Sequence, residues 1–208
     1  MSDQVVEGRL ELRKKPQQER SIQRLEAILE AAIELFLQKG VAETTMSEIA
    51  QRAGISIGSL YQFFPQKAAV IKALHERFSA QLEGFIRQIF ADVETLDEAA
   101  ERASESLIEL YGMFRAQRIY MTLWQAIVVD KDLSQLSNDF HEQIIASFYR
   151  DLAHLVPQSE FERFRVNIKL MILATGEVIR FTTQQPDDVA KAHLAQWRRV
   201  IRGSIFAF

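Results

Sequence analysis

Residues 44–67, TTMSEIAQRAGISIGSLYQFFPQK, read as two short helices joined by a tight turn, with a third helix beginning at the end. Thr45 and Glu48 have capping-box spacing, in which each side chain satisfies a backbone N–H left open at a helix start. Ile49, Ala50 and Ala53 then form an inward face, with Ala50 small enough for two crossing helices to approach closely. Gly54 stands where the chain needs a turn with positive φ. Ile55 plugs that turn, Ser56 caps the second helix, and Leu60 with Phe63 or Phe64 returns to the core. The combination Ala50, Gly54, Leu60 points to a helix-turn-helix, a device for laying one helix in the major groove of DNA. An ordinary helical hairpin with a glycine turn is the competing reading of the same spacing.

Working outward, nearly everything else has helical period. Apolar residues recur from Ile22 through Leu25, Ile28, Leu29, Ala32, Leu35 and Phe36, and this stripe ends at Gly40. A longer one runs Val70, Leu74, Phe78, Leu82, Phe85, Ile89. Pro16, Pro65, Pro157 and Pro186 fall at or near element boundaries, and no alternating strand pattern appears. The expected fold is all-α with about nine helices. A basic arm (1–19) precedes a three-helix DNA-binding domain (20–66) and a larger helical domain (67–208). The helix from Lys67 to about Val93 is shared by both domains, without a flexible linker.

Composition narrows the function. With 48% hydrophobic and 25% charged residues in 208, the chain can bury a core and stay soluble. No apolar run is long enough to cross a membrane, and no apolar signal segment opens the chain, so a cytoplasmic protein is expected. The absence of cysteine excludes disulfides, thiol catalysis and thiolate metal sites. His75, His141, His154 and His193 are scattered without metal-ligand spacing, and no phosphate-binding glycine loop is present. Glu177 and Arg180 read as an ion pair on one helix. Neither an enzyme nor a cofactor or metal site is expected. The net charge of −3 suits a DNA-binding protein only when resolved by position. Between Arg9 and Arg24, six basic residues (Arg9, Arg13, Lys14, Lys15, Arg20, Arg24) stand against Glu11 and Glu19, a local excess that suits phosphate contacts by a basic arm.

A recognition helix presents its first residues and outward face to the groove. Here these are Ser56, Ile57, Gly58, Ser59, Tyr61 and Gln62. Gln62 is the candidate for direct readout, because a carboxamide pairs bidentately with adenine. Ile57 suits a thymine methyl, Gly58 allows close approach, and Thr45 and Ser47 suit phosphates. Phe63 has two possible destinations, a thymine methyl or the core.

From about Arg20 to Leu74 the chain resembles the TetR family of transcriptional regulators. The resemblance rests on a helix ending in LFLQKG, then TTMSEIAQRAGIS, then IGSLYQFFPQK. Tyr61, Phe64, Pro65 and Lys67 match the family's Y-x-x-F-P-x-K signature. It implies that Tyr61 and Lys67 grip the DNA backbone, that terminal helices pair into a homodimer, and that middle helices hold a small-molecule effector.

The segment from Phe161 to Thr183 is apolar on two faces: Phe164, Ile168, Met171, Ile172 and Ile179 on one, Leu170, Leu173 and Phe181 on the other. Such a helix needs a second partner. The expected dimer interface is Ile168, Ile172, Gly176, Ile179, Leu194, Trp197 and Ile201. The expected effector pocket is Tyr111, Phe114, Gln117, Met121, Trp124, Gln125 and Phe148, with Arg115 or Arg118 placed to meet an anion. The whole reading is a dimeric repressor of a palindromic operator, released by a largely apolar ligand. The alternative is a helical partner-binding or ligand-sensing protein that no longer reads DNA.

Overall fold

The computed structural model describes residues 19–130 and 133–205, and the basic arm before Glu19 lies outside them. Among the described residues there are nine α-helices: α1 Glu19–Glu43, α2 Met46–Arg52, α3 Ile57–Phe63, α4 Lys67–Ile89, α5 Leu96–Ala116, α6 Ile119–Val129, α7 Ser134–Leu152, α8 Phe161–Thr182 and α9 Asp187–Val200. A π-helical turn, Ile201–Ile205, follows α9. No helix among the described residues is long and apolar enough to cross a membrane.

The chain forms two compact units. The first holds the described residues up to Ala80 together with Arg118–Ser137, and the second holds Gln81–Gln117 and the chain from Asn138 onward. This differs from a division at residues 66 and 67 in two ways. The boundary falls inside helix α4, between Ala80 and Gln81. Helix α6 joins the first unit because its buried face, Ile119, Tyr120, Leu123 and Ile127, packs along α1.

In the first unit the inward face of α1 is Ile28, Leu29, Ala31, Ala32, Leu35 and Phe36. Gly40, at φ 86° and ψ 162°, breaks that helix where the apolar stripe stops. The ring of Tyr120 lies 3.8 Å from that of Phe78, tying α6 to α4. Arg77 reaches across to Glu26 and Glu30 on α1, at 3.3 and 2.8 Å.

The second unit is built on one apolar cluster that includes Ile86, Phe90, Leu107, Phe148, Phe164, Ile168, Met171, Ile179 and Leu194. Helix α4 stops at Ile89, short of Val93, and Asp92 then adopts φ 56°, a left-handed conformation that ends a helix. Thr95 caps α5 by accepting from the Glu98 N–H at 3.1 Å. Two arginines tie α5 to the far end of the chain. Arg115 donates to the carbonyls of Thr183 and Gln185 and to Asp187, and Arg202 donates to Ser104 and pairs with Glu101. Arg115 is thus held by the turn before α9, which corrects the expectation that it meets an anion.

Candidate functional site

Local hydrogen bonding builds the reading head as the residue types demand. Thr45 accepts from the Glu48 N–H at 3.3 Å, and Glu48 accepts from the Thr45 N–H at 2.9 Å, a complete capping box. Helix α2 ends in a Schellman motif. The Ile55 N–H reaches the Ala50 carbonyl at 3.0 Å, the Gly54 N–H reaches the Gln51 carbonyl at 3.2 Å, and Gly54 sits at φ 67°. Ser56 then caps α3 by accepting from the Ser59 N–H at 3.1 Å.

Helix α3 is divided cleanly by burial. Leu60, Phe63 and Phe64 at its end are at most 2% exposed, which places Phe63 in the core and not against a base. Ile57 and Tyr61 are 40% and 43% exposed, and Gly58 and Gln62 lie open beside them. This outward face carries no acidic residue, so nothing on it repels a polyanion. Ser47 and Ser56 are exposed and Ser59 is partly buried.

Two expected DNA contacts are occupied otherwise. The Lys67 ammonium donates to the carbonyls of Val41, Ala42 and Thr44, at 2.6, 3.0 and 2.8 Å. All three of its hydrogens therefore close the end of α1, whose carbonyls have no helical partners. Lys67 holds the protein's own backbone and is not presented to phosphate. At Thr45 both donors face Glu48, since the hydroxyl also donates to that carboxylate at 2.8 Å. Ser47, the other residue expected at the start of α2, is exposed.

Glu48 is held from a second side by Lys39, at 2.5 Å. The Lys39 bond and those from Thr45 lower its pKa to about 2. Arg52 is likewise engaged, by Glu34 at 2.6 Å. The described cations around the reading head are thus largely neutralised by their own neighbours. Arg20 and Arg24 at the start of α1 remain exposed. The Lys67 contacts join residues more than twenty positions apart, so no local pattern announces them.

The dimer expectation needs a change of face. Ile168, Ile179, Leu194 and Ile201 are at most 2% exposed within a single chain, so they complete its core and are not open to a partner. Ile172, Gly176 and Trp197 are partly exposed, and the Trp197 indole N–H donates to Thr175 at 2.9 Å. The open apolar stripe of α8 is Val166, Leu170, Leu173 and Phe181, between 40% and 60% exposed. Beside it an open groove of about 610 Å³ runs between α8 and α9, lined in part by Val178, Phe181, Trp197 and Val200. The Glu177–Arg180 ion pair, at 2.7 Å, stands on the same surface.

The expected effector residues divide between the units. Tyr111, Phe114, Gln117 and Phe148 belong to the second, Met121, Trp124 and Gln125 to the first. Phe148 is 5% exposed and its ring is 4.7 Å from Phe90; Gln117 and Gln125 are exposed. Tyr111 and Phe114 pack against the apolar cluster, and the Tyr111 hydroxyl is shielded from solvent without a hydrogen-bond partner. Leaving such a group unpaired costs about 1–3 kcal/mol. Among the described residues no group of three or more metal-ligating side chains is assembled.

Comparison with known proteins agrees with this arrangement. Residues 28–74 match the profile of bacterial regulatory proteins of the tetR family, and residues 96–208 match the tetracyclin repressor-like C-terminal domain. The probable transcriptional regulator ArpR of Pseudomonas putida is 29% identical over 173 residues, covering 83% of this chain and 74% of its own length. The fatty acid degradation regulator FadR of Bacillus halodurans superposes with a TM-score of 0.68 at 16% identity, covering 92% of this chain and 97% of that one. FadR of Bacillus subtilis, solved in complex with stearoyl-CoA, superposes with a TM-score of 0.65 at 15% identity, covering 86% and 97%. The two profiles account for both ends of the molecule, the reading head and the helical remainder. The chain belongs to the TetR family of bacterial transcriptional regulators, DNA-binding proteins with a helical ligand-binding domain.

Proposed function

We propose that this regulator is a repressor that binds a palindromic operator as a homodimer and is released by a small, largely apolar ligand. The observation that carries the reading is the outward face of α3, where Ile57, Gly58, Tyr61 and Gln62 are open while Leu60 and Phe63 anchor the helix from behind. A helix held this way and bearing no acid is suited to a major groove. Gln62 reads adenine through its carboxamide, worth about 1–3 kcal/mol of discrimination. Ile57 meets a thymine methyl, and Ser47, Ser56, Ser59 and Tyr61 position the helix on phosphates and sugars. The arm supplies the nonspecific attraction.

Two copies pair through the exposed stripe of α8 and the adjoining groove, giving one reading head per half-site. Repression follows because a dimer seated on a promoter excludes polymerase without an activating surface. Helix α4 runs unbroken from the first unit into the second. A ligand that shifts its tilt changes the spacing of the two reading heads. To empty the operator almost fully, the ligand must favour the released state by about 10⁴-fold.

The test is selection from a random duplex pool on the purified protein, followed by titration of the enriched site at several salt concentrations. A palindrome containing adenine in each half-site, bound less tightly as salt rises, is the expected result. Weak binding without enrichment, unchanged after the protein is unfolded and refolded free of ligand, would mean that the reading head no longer reads sequence.

A further inference from the structure

The second unit contains a hydroxyl that no group in its surroundings answers. Tyr111 packs against the apolar cluster of that unit, and its hydroxyl oxygen is shielded from solvent with no hydrogen-bond partner. Tyrosines ordinarily do the reverse, burying the ring while the hydroxyl reaches water or a polar neighbour. Here the residue as a whole is only partly buried while its tip is shielded, so the exposed part of the side chain is not the hydroxyl. The other shielded polar atom without a partner, the Nε of Arg198, differs in kind. It is the inner nitrogen of a guanidinium, not the end of a side chain. Arg115 stands with its guanidinium carbon 5.9 Å from the centre of the Tyr111 ring, but its bonds run to Thr183, Gln185 and Asp187. Those bonds hold the guanidinium over the ring and away from the hydroxyl's needs as a donor.

We propose that Tyr111 selects the effector: its hydroxyl donates to a neutral oxygen acceptor, such as a carbonyl or hydroxyl, carried by an otherwise apolar molecule. This inference rests on the ligand-release reading above and names the chemistry of its ligand. The body of the ligand is apolar because the cluster against which Tyr111 packs is built of residues such as Leu107, Phe148, Ile168 and Met171. The acceptor is neutral because a single hydroxyl does not offset the cost of burying a full charge. A donor buried in this way discriminates strongly, since an analogue without the oxygen leaves it unpaired.

The test uses the full-length protein without DNA and two probes of nearly equal shape, 2-naphthol and 2-methylnaphthalene, with 2-naphthoate as the charged control. Calorimetric titration is expected to show 2-naphthol binding roughly tenfold more tightly than 2-methylnaphthalene. That preference disappears in Tyr111→Phe, and 2-naphthoate binds the wild type more weakly than 2-naphthol. A preference that survives in Tyr111→Phe, tighter binding of 2-naphthoate, or no binding by any probe overturns the proposal.

A second readout needs no ligand. Removing an unpaired buried hydroxyl raises the Tm of the ligand-free protein, whereas removing one that is satisfied by a resident water lowers it. A lowered Tm would assign the hydroxyl to the fold and end the proposal. Because DNA is absent from both measurements, their failure leaves operator binding untouched. Failure of the operator to release, with both Tyr111 results as expected, would count against the ligand-release reading alone.

Discussion

At the residue scale, Lys67 and Glu48 show how much of the reading head is held by polar contacts that a motif alone does not explain. The Lys67 ammonium closes the end of α1 through three carbonyls. Lys67→Met is expected to lower stability to chemical denaturation by about 1.5–3 kcal/mol, the range for hydrogen bonds to a charged group. It should leave the salt dependence of DNA binding unchanged. A phosphate contact would behave oppositely, reducing the salt slope by about one while sparing stability. For Glu48, the folded pKa of about 2 lies below the ordinary 4.5, so the ionised form is the one the fold favours. Its contribution is complete above about pH 4.5 and is lost as pH falls through the folded value near 2. The Tm difference between wild type and Glu48→Gln should therefore be constant near neutrality and shrink below pH 4.5. A difference that does not change between pH 7 and about 2.5 would show that the Lys39 and Thr45 bonds are absent in solution.

Among elements, legibility followed locality. The capping box at Thr45 and the turn at Gly54 are made by residues three to five apart, so the side-chain types alone announce them. What a helix packs against is a different kind of fact. Helix α6, IYMTLWQAIVV, is apolar nearly throughout, and such a helix carries no mark of which neighbours it will join. The sequence placed it with the regulatory domain, whereas its buried face lies on α1 and its Tyr120 ring meets Phe78 of α4. Similarly, α8 announced two apolar faces without saying which turns inward. Ile168 and Ile179 look no more suited to a core than Leu170 and Leu173 do. The α6 assignment has a direct consequence. Tyr120→Ala is expected to cost about 3–5 kcal/mol, as truncation of a buried aromatic does, and to weaken operator binding in the same measurement series. If ligand response were lost while DNA affinity and stability stayed intact, α6 would serve only the effector site.

At the scale of the whole molecule, the proposed dimer would turn one reading head into two. A single α3 offers few base contacts, and most of the nearby described cations are already paired within the protein. Useful affinity for one site among many therefore depends on joining two heads, whose combined binding exceeds either alone by about 10²–10⁴-fold when the geometry fits. The surface proposed to join them is the open stripe Val166, Leu170, Leu173, Phe181 with the groove beside it. Leu194 and Ile201 are unsuitable for testing this, because both are buried in the chain's own core and their loss would unfold it. Leu170→Glu combined with Leu173→Glu changes only exposed positions, at 60% and 40% exposure, so each chain should fold with its helical content intact. Sedimentation is expected to give a single chain of 23.9 kDa, and operator affinity should fall by about 10²-fold or more while weak nonspecific binding remains. A folded variant that still sediments as a dimer would move the interface elsewhere. A folded monomer with undiminished operator affinity would mean that the two half-sites are read independently.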